Sequence, residues 1–324
     1  MTVPSDVRRV LVISLSNIGD VVLTTPVVEA VHRHWPAAAL TVLVGPRAAP
    51  LFERDPRVAQ VMPYEKRDVL GSQLALIAAL RRQRFDVVVD LRHGLLPWLI
   101  GARSRSALWR SSADGVSHRT VVHLEVVRRM GIPVDGVRPQ LFTGPEDDAA
   151  VAQWLADIPS GVLLVAVAPG ARSHLKRWTP EGFAHVCDAV IREFGAQVLL
   201  VGDQKDQAIA DQVVAAMQRQ PMNLTGRTTL RQLVALFRRL SLVVTNDSAC
   251  LHLAVAAGTP VVALFGPTDP RKYGPTGPRD QVVRLGLVCA PCELALCPYG
   301  HECLQWLPAH NVLAAIRRLL PVLA

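Results

Sequence analysis

Apolar and polar positions along the chain alternate between two periods. Runs of consecutive apolar residues, too short for helices, recur at Arg9–Ser14, Leu40–Val44, Val58–Met62 and Phe85–Leu91. Between them stand longer stretches in which apolar residues return every three or four positions, as in Asp20–Trp35 and Val69–Arg84. A strand that is apolar on both faces belongs inside a parallel sheet covered by helices on both sides. The pattern loosens between Gly131 and Gly161, in a stretch rich in Gly, Pro and acid. It then restarts, with strands expected at Val162–Ala168, Gln197–Val201, Leu242–Thr245 and Val261–Phe265. Helices are expected between them at Pro180–Phe194, Asp203–Arg219, Leu230–Leu240 and Ser248–Ala257, and a last helix at His310–Leu320. The expected fold class is therefore α/β, with two Rossmann-like lobes, 1–150 and 151–324, whose parallel sheets face a central cleft. The last helix can pack back toward the first lobe. In such sheets ligands bind beyond the carboxyl ends of the strands.

Composition narrows the class. Half of the 324 residues are apolar and 19% are charged, enough core material to exclude a disordered chain. No apolar run reaches the roughly 18–20 residues of a membrane span. The N-terminal residues lack a long apolar stretch with a cleavage site, so a cytoplasmic protein is expected. The net charge of +8 comes from arginine and reads either as base composition or as preference for an anionic partner. No nucleic-acid motif accompanies it, so a nucleic-acid partner is not expected.

Candidate chemistry lies at strand exits. After the first strand comes Ser14-Leu15-Ser16-Asn17-Ile18-Gly19-Asp20. Asp20 reads either as a helix cap or as a carboxylate able to take a proton from a hydroxyl. Asn17 and Gly19 form a turn that a substrate can approach closely. The first strand of the second lobe exits through Pro169-Gly170-Ala171-Arg172, and the loop continues to Lys176, Arg177 and Trp178. Arg172 and Lys176 suit a diphosphate; a solvated basic loop is the bland alternative. The third site is Thr245-Asn246-Asp247-Ser248-Ala249, opening a helix whose N-terminal N–H groups form an anion site. His252, just inside that helix, either faces the same anion or simply packs. Thr268 and Asp269, after Phe265-Gly266-Pro267, either bond sugar hydroxyls or cap a turn. Arg47 and Arg92, near strand ends of the first lobe, are candidate contacts for an anionic acceptor or plain surface residues. Cys289, Cys292, Cys297 and Cys303 have a spacing that could hold zinc or iron; reduced thiols are the equal alternative. Cys187 and Cys250 read as small core residues.

Taken in order, the Ser-x-x-Gly-Asp turn, the Pro-Gly-Ala…Lys-Arg-Trp loop, the Asp-Ser-x-x-x-His helix start and the Phe-Gly-Pro-Thr-Asp-Pro turn resemble glycosyltransferase family 9. That family comprises the ADP-heptose:lipopolysaccharide heptosyltransferases and their relatives. The resemblance implies a GT-B fold and an inverting, metal-independent heptosyl transfer from ADP-heptose to a lipid A-anchored core oligosaccharide, without a cofactor. It implies work on the cytoplasmic face of the inner membrane, in peripheral contact with its surface. By position it makes Asp20 the catalytic base and Lys176 the phosphate-binding lysine. Asp247, Ser248, Ala249 and His252 match the donor segment, and Asp206 the ribose-binding acid, with Asp203 the alternative. Ala171-Arg172 stands where some members carry Thr-Thr, and Ala249 where some carry Gly, so the donor sugar is less fixed than the family. A transferase of another activated sugar, an epimerase, or a non-catalytic nucleotide-sugar-binding protein on the same fold are the alternatives.

Overall fold

The computed structural model describes residues 6–64, 70–107 and 117–320 and divides the chain into two compact units, 1–142 and 143–324. The first unit runs β1 (Arg9–Ile13), α1 (Ile18–Val22), α2 (Thr25–His34), β2 (Ala39–Val44), β3 (Gln60–Pro63), α3 (Leu70–Gln83), β4 (Val87–Asp90), α4 (Leu96–Leu99), β5 (Ser104–Arg105) and α5 (Arg119–Arg128). Its five strands are all parallel, in the order β3-β2-β1-β4-β5. The expected helix from Asp20 to Trp35 is two helices, α1 and α2. The break has a local cause: Pro26 has no N–H to give, and Thr24 and Thr25 turn their hydroxyls onto the carbonyls of Val21 and Val22 at 2.7 and 2.8 Å. Thr24 also meets the Ser14 hydroxyl at 2.7 Å, tying the break to the exit of β1. The expected helical start at Val69 lies outside the described residues.

Beside the sheet, Arg57 is nearly buried and paired. Its guanidinium reaches Asp55 Oδ2 at 2.7 Å and Glu29 Oε2 on α2 at 2.5 Å, with its carbon 4.8 Å from the Phe142 ring centre. Burial alone would raise the Glu29 pKa, but the hydrogen bonds from Arg57 and Arg33 outweigh it and hold that carboxyl below its ordinary value.

The second unit runs α6 (Pro145–Trp154), β6 (Leu164–Ala168), α7 (Pro180–Phe194), β7 (Gln197–Leu200), α8 (Gln207–Ala216), β8 (Met222–Asn223), α9 (Leu230–Phe237), β9 (Leu242–Asn246), α10 (Ala249–Ala257), β10 (Val261–Leu264), α11 (Pro270–Tyr273), β11 (Gln281–Val283), α12 (Glu302–Gln305) and α13 (Ala309–Arg317). Six parallel strands follow the order β11-β10-β9-β6-β7-β8. Each sheet thus repeats the doubly wound arrangement, with chain order reversing between β1 and β4 in one and between β6 and β9 in the other. A connection near residue 150 would fall inside α6, whereas the units part before that helix. The helix belongs to the second unit because the buried Asp147 carboxylate accepts Arg231 Nε of α9 at 3.0 Å and the Gly144 N–H at 2.9 Å. The last helix lies on α7 of its own unit, where Arg317 pairs with Glu193 at 2.9 Å.

Candidate functional site

At the switch point of the second sheet, the exits of β6 and β9 are stapled together. Asn246 ends β9 fully buried; its amide donates to Pro169 O at 2.8 Å, and its Oδ1 accepts the Trp178 N–H at 3.1 Å. One residue thereby fixes both ends of the loop 169–178. Trp178 anchors the far end, buried against Phe183 and donating its ring N–H to Leu307 O at 2.9 Å. Inside the loop, Arg177 Nε donates to Ala171 O at 2.8 Å, and the Leu175 carbonyl receives His301 Nε2. Lys176 is left half-buried. Its ammonium donates to Asp247 Oδ2 at 2.6 Å and lies 5.9 Å from the Tyr273 ring centre. The same Asp247 oxygen accepts the Thr268 hydroxyl at 2.7 Å. Three exits, those of β6, β9 and β10, therefore converge on one carboxylate that aims one ammonium.

Beside this pair α10 begins. Ser248 is its N-cap in extended conformation, with no capping bond from its own side chain, and its hydroxyl sits 3.2 Å from that of Thr245. The first N–H groups of α10 are unpaired within the helix and carry its positive dipole end. His252 stands in this opening turn and is buried. Asp206 turns toward the same place. Cβ atoms built on Gly170 and Gly202 would lie 2.1 and 2.9 Å from its side chain, so both glycines exist to let this acid in. Burial, and after it the Asp206 carboxylate, push the Cys250 thiol on α10 up to about 12. Asp203, the alternative ribose contact, is exposed and spends a carboxylate oxygen on the Lys205 N–H at 2.8 Å. Arg172 is exposed on the loop. Asp269 caps α11, accepts Arg271 at 2.7 Å and is held below the usual carboxylate range chiefly by that hydrogen bond.

The first unit offers a second group at its own switch point. The N-cap of α1 is Asn17, and Asp20 lies within the helix. The Asp20 carboxylate accepts Asn17 Nδ2 at 3.0 Å and is partly exposed. Asp20 is thus not the N-cap of α1 but an acid of its first turn, bonded to the N-cap side chain. Gly45, at the end of β2, passes so close to the β1 exit that a Cβ would lie 2.8 Å from Ser16 Cα. Arg47 follows it and is exposed. Arg92 differs from Arg47: its Nε donates to Ser14 O and its Nη2 to Ser16 Oγ, both at 2.7 Å.

The four late cysteines line one cavity together with Leu175, Pro267, Tyr299 and His301. Burial, then the thiols of Cys297, Cys292 and Cys289, push Cys303 up to about 11. Among the described residues, no three His, Cys, Asp or Glu side chains are arranged to hold a metal ion. Cys187 is buried in the core of the second unit. The sequence reading had no role for Asn246 and left Thr268 undecided. The signal for Asn246 was a polar residue at the last position of an apolar strand.

Two parallel α/β sheets, each with polar groups gathered at its switch point and one with an ammonium beside a helix N-terminus, are a fold and a site that suit a nucleotide-sugar transferase. The chain belongs to glycosyltransferase family 9 (heptosyltransferase), whose sequence model matches residues 73–302. It is similar to lipopolysaccharide heptosyltransferase 2 of Escherichia coli, 27% identical over 309 residues that cover 86% of this chain and 88% of that one. It is also similar to the lipopolysaccharide core heptosyltransferase OpsX of Haemophilus influenzae, 26% identical over 296 residues covering 85% and 84%. Among solved structures, a glycosyl transferase family 9 protein of Veillonella parvula superposes with TM-score 0.88 at 23% identity, covering 98% of this chain and 99% of that chain. The ADP-heptose lipopolysaccharide heptosyltransferase II of E. coli superposes with TM-score 0.80 at 25% identity, covering 96% and 98%.

Proposed function

We propose that this glycosyltransferase moves a heptose from ADP-heptose to the lipid A-anchored core of lipopolysaccharide, with inversion and without a metal. The observation that carries the reading is the Lys176–Asp247 pair beside the start of α10, in a chain whose relatives bear heptosyltransferase names. Departure of ADP develops negative charge on the diphosphate. An ammonium held at 2.6 Å by a buried acid, and N–H groups fixed by a helix, stabilise that charge without having to reorganise. Only the part of this stabilisation that grows toward the transition state speeds the reaction. Arg172, Ser248, Ala249 and His252 complete the diphosphate side, and Asp206 takes the ribose hydroxyls. The acceptor belongs to the first unit, where Asp20 takes the proton of the attacking hydroxyl while Asn17 orients it and Gly19 leaves room. Arg47 and Arg92 lie on this acceptor side.

Among the described residues no helix is long and apolar enough to cross a membrane. The net charge of +8 favours peripheral contact with an anionic inner leaflet. The test is transfer from ADP-heptose to a panel of truncated lipopolysaccharides, read by product mass and anomeric configuration. A heptosylated, inverted product is expected. Turnover only with another nucleotide sugar, or ADP-heptose binding without turnover on any acceptor, would replace the proposal.

A further inference from the structure

The two strand exits that flank the first switch point are spanned by a single side chain. Arg92 follows β4, and its guanidinium crosses to the β1 exit to donate to Ser14 O and Ser16 Oγ, both at 2.7 Å. The turn that aims it is rigid. Asp90 is buried, and its two carboxylate oxygens accept the N–H groups of Arg92 at 2.8 Å and Gly94 at 2.7 Å. The Tyr64 ring centre lies 5.5 Å from the guanidinium carbon.

What these partners lack is charge. A carbonyl, a hydroxyl and a phenol ring surround a half-buried guanidinium, and Asp90, which attracts it, commits its oxygens to backbone N–H groups. Among the described residues Arg92 makes no ion pair, whereas Arg57 of the same unit is paired with both Asp55 and Glu29. The contrast extends to their acidities: burial lowers the Arg92 pKa against the smaller opposing effects of Tyr64 and Asp90, while hydrogen bonds donated to Asp55 and Glu29 raise that of Arg57 against its own burial. A guanidinium stays protonated regardless, so folding leaves a partly desolvated positive charge that the Asp90 carboxylate offsets only in part, with no ion pair among the described residues. Two of its five N–H groups have partners among the described residues. The Nη1 edge is left to a ligand, and a guanidinium edge matches the oxygens of a carboxylate or phosphate.

We infer that Arg92 is an anion subsite at the switch point of the first sheet and that it receives an acidic group, carboxylate or phosphate, of the acceptor. Ser16, which Arg92 grips, opens the turn that ends at Asp20. Anchoring the acceptor's acid at Arg92 therefore registers the acceptor against the same exit that carries the base. Arg92 is a specificity-determining residue, and its grip on Ser14 and Ser16 keeps the exit in place while it acts. Assigning the anion to an acceptor rests on the transferase reading; the anion site itself does not.

Two measurements test this separately. In the first, backbone amide resonances of the full chain are followed during titration with glucuronate, with glucose 6-phosphate and with glucose. Saturable shifts at Ser16, Arg92 and Gly94 are expected with at least one of the two acids and not with glucose, and the acid that acts identifies the group. They should vanish in Arg92→Gln and persist, weakened, in Arg92→Lys. Absence of such shifts in the native chain overturns the subsite, whether or not the protein is a transferase. In the second, acceptor KM is measured for the native acceptor and for acceptors reduced at carboxyl groups or stripped of phosphate. Arg92→Gln should raise acceptor KM by about tenfold to a hundredfold and leave donor KM unchanged. The neutralised acceptor should lose the same factor with the native enzyme and nothing further with the variant. An equal loss on acidic and neutralised acceptors would show Arg92 to be a strut alone. If no acceptor is turned over, the transferase reading fails and the titration still decides the site.

Discussion

Asp20 and Lys176 are the two residues on which the proposed chemistry depends most, and their surroundings differ in kind. The Asp20 carboxylate is partly exposed and takes a hydrogen bond from the neutral Asn17 amide, which leaves it available to a hydroxyl proton. Asp20→Ala should cut transfer by roughly 10²–10⁴-fold, the usual worth of a general base, with ADP affinity near native. Near-native turnover in steady-state kinetics would remove Asp20 from the mechanism. Lys176 is held by the buried Asp247, which Thr268 also contacts. Lys176→Ala should weaken ADP binding by about 1.5–3 kcal/mol in calorimetry, the usual range for a hydrogen bond to a charged group. An unchanged affinity would mean that the ammonium does not reach the phosphates. Both residues were legible in the sequence, because Asp20 stands at a strand exit beside Gly19 and Lys176 in the basic loop that leaves another strand. Asn246 was not, because its role is to join a strand end to a loop 77 residues away.

At the scale of elements, the first unit carries a pH-sensitive tie between α2 and the 55–57 turn. The Glu29 carboxyl has its pKa held below the ordinary 4.5 by Arg57 and Arg33 against the opposing effect of burial. A depressed folded-state pKa means that its contribution is complete above the unfolded value and lost as pH falls through the folded one. Urea unfolding should therefore show stability declining below about pH 4.5, and Glu29→Gln should flatten that decline. Arg57→Met should cost about 3–5 kcal/mol near neutral pH, because it strands the buried Asp55 carboxylate. A loss well under 1 kcal/mol would mean that the network contributes little. The helix boundaries teach a related lesson. Periodicity alone ran Asp20–Trp35 together as one helix, since Val21, Val22, Val28 and Val31 all fit one apolar face. The hydroxyls of Thr24 and Thr25 decide otherwise, and they act through local bonds that hydrophobic period does not register.

For the whole molecule, the prediction concerns metal. Lys176 and the N-terminus of α10 supply positive field for a diphosphate, so transfer should survive exhaustive chelation. Far-UV circular dichroism of the same sample separates two kinds of failure. Activity lost with the fold intact and restored by magnesium would overturn the metal-free mechanism. Activity lost together with structure and restored by zinc would assign Cys289, Cys292, Cys297 and Cys303 a structural ion. By itself the sequence determined that there are two α/β units with parallel sheets, because strands apolar on both faces fit nowhere else. It also pointed to where chemistry is to be sought, since polar residues and glycines at strand exits have little reason to interrupt apolar runs other than to turn or to bind. Only the tertiary structure decided which exits meet. Strand order sets the switch points, and strand order follows from how helices pack across a sheet, not from any local pattern. Hence Lys176 meets Asp247 across 71 residues and Arg92 meets Ser14 across 78. The placement of α6 in the second unit has the same origin: it depends on Asp147 finding Arg231, a partner 84 residues away.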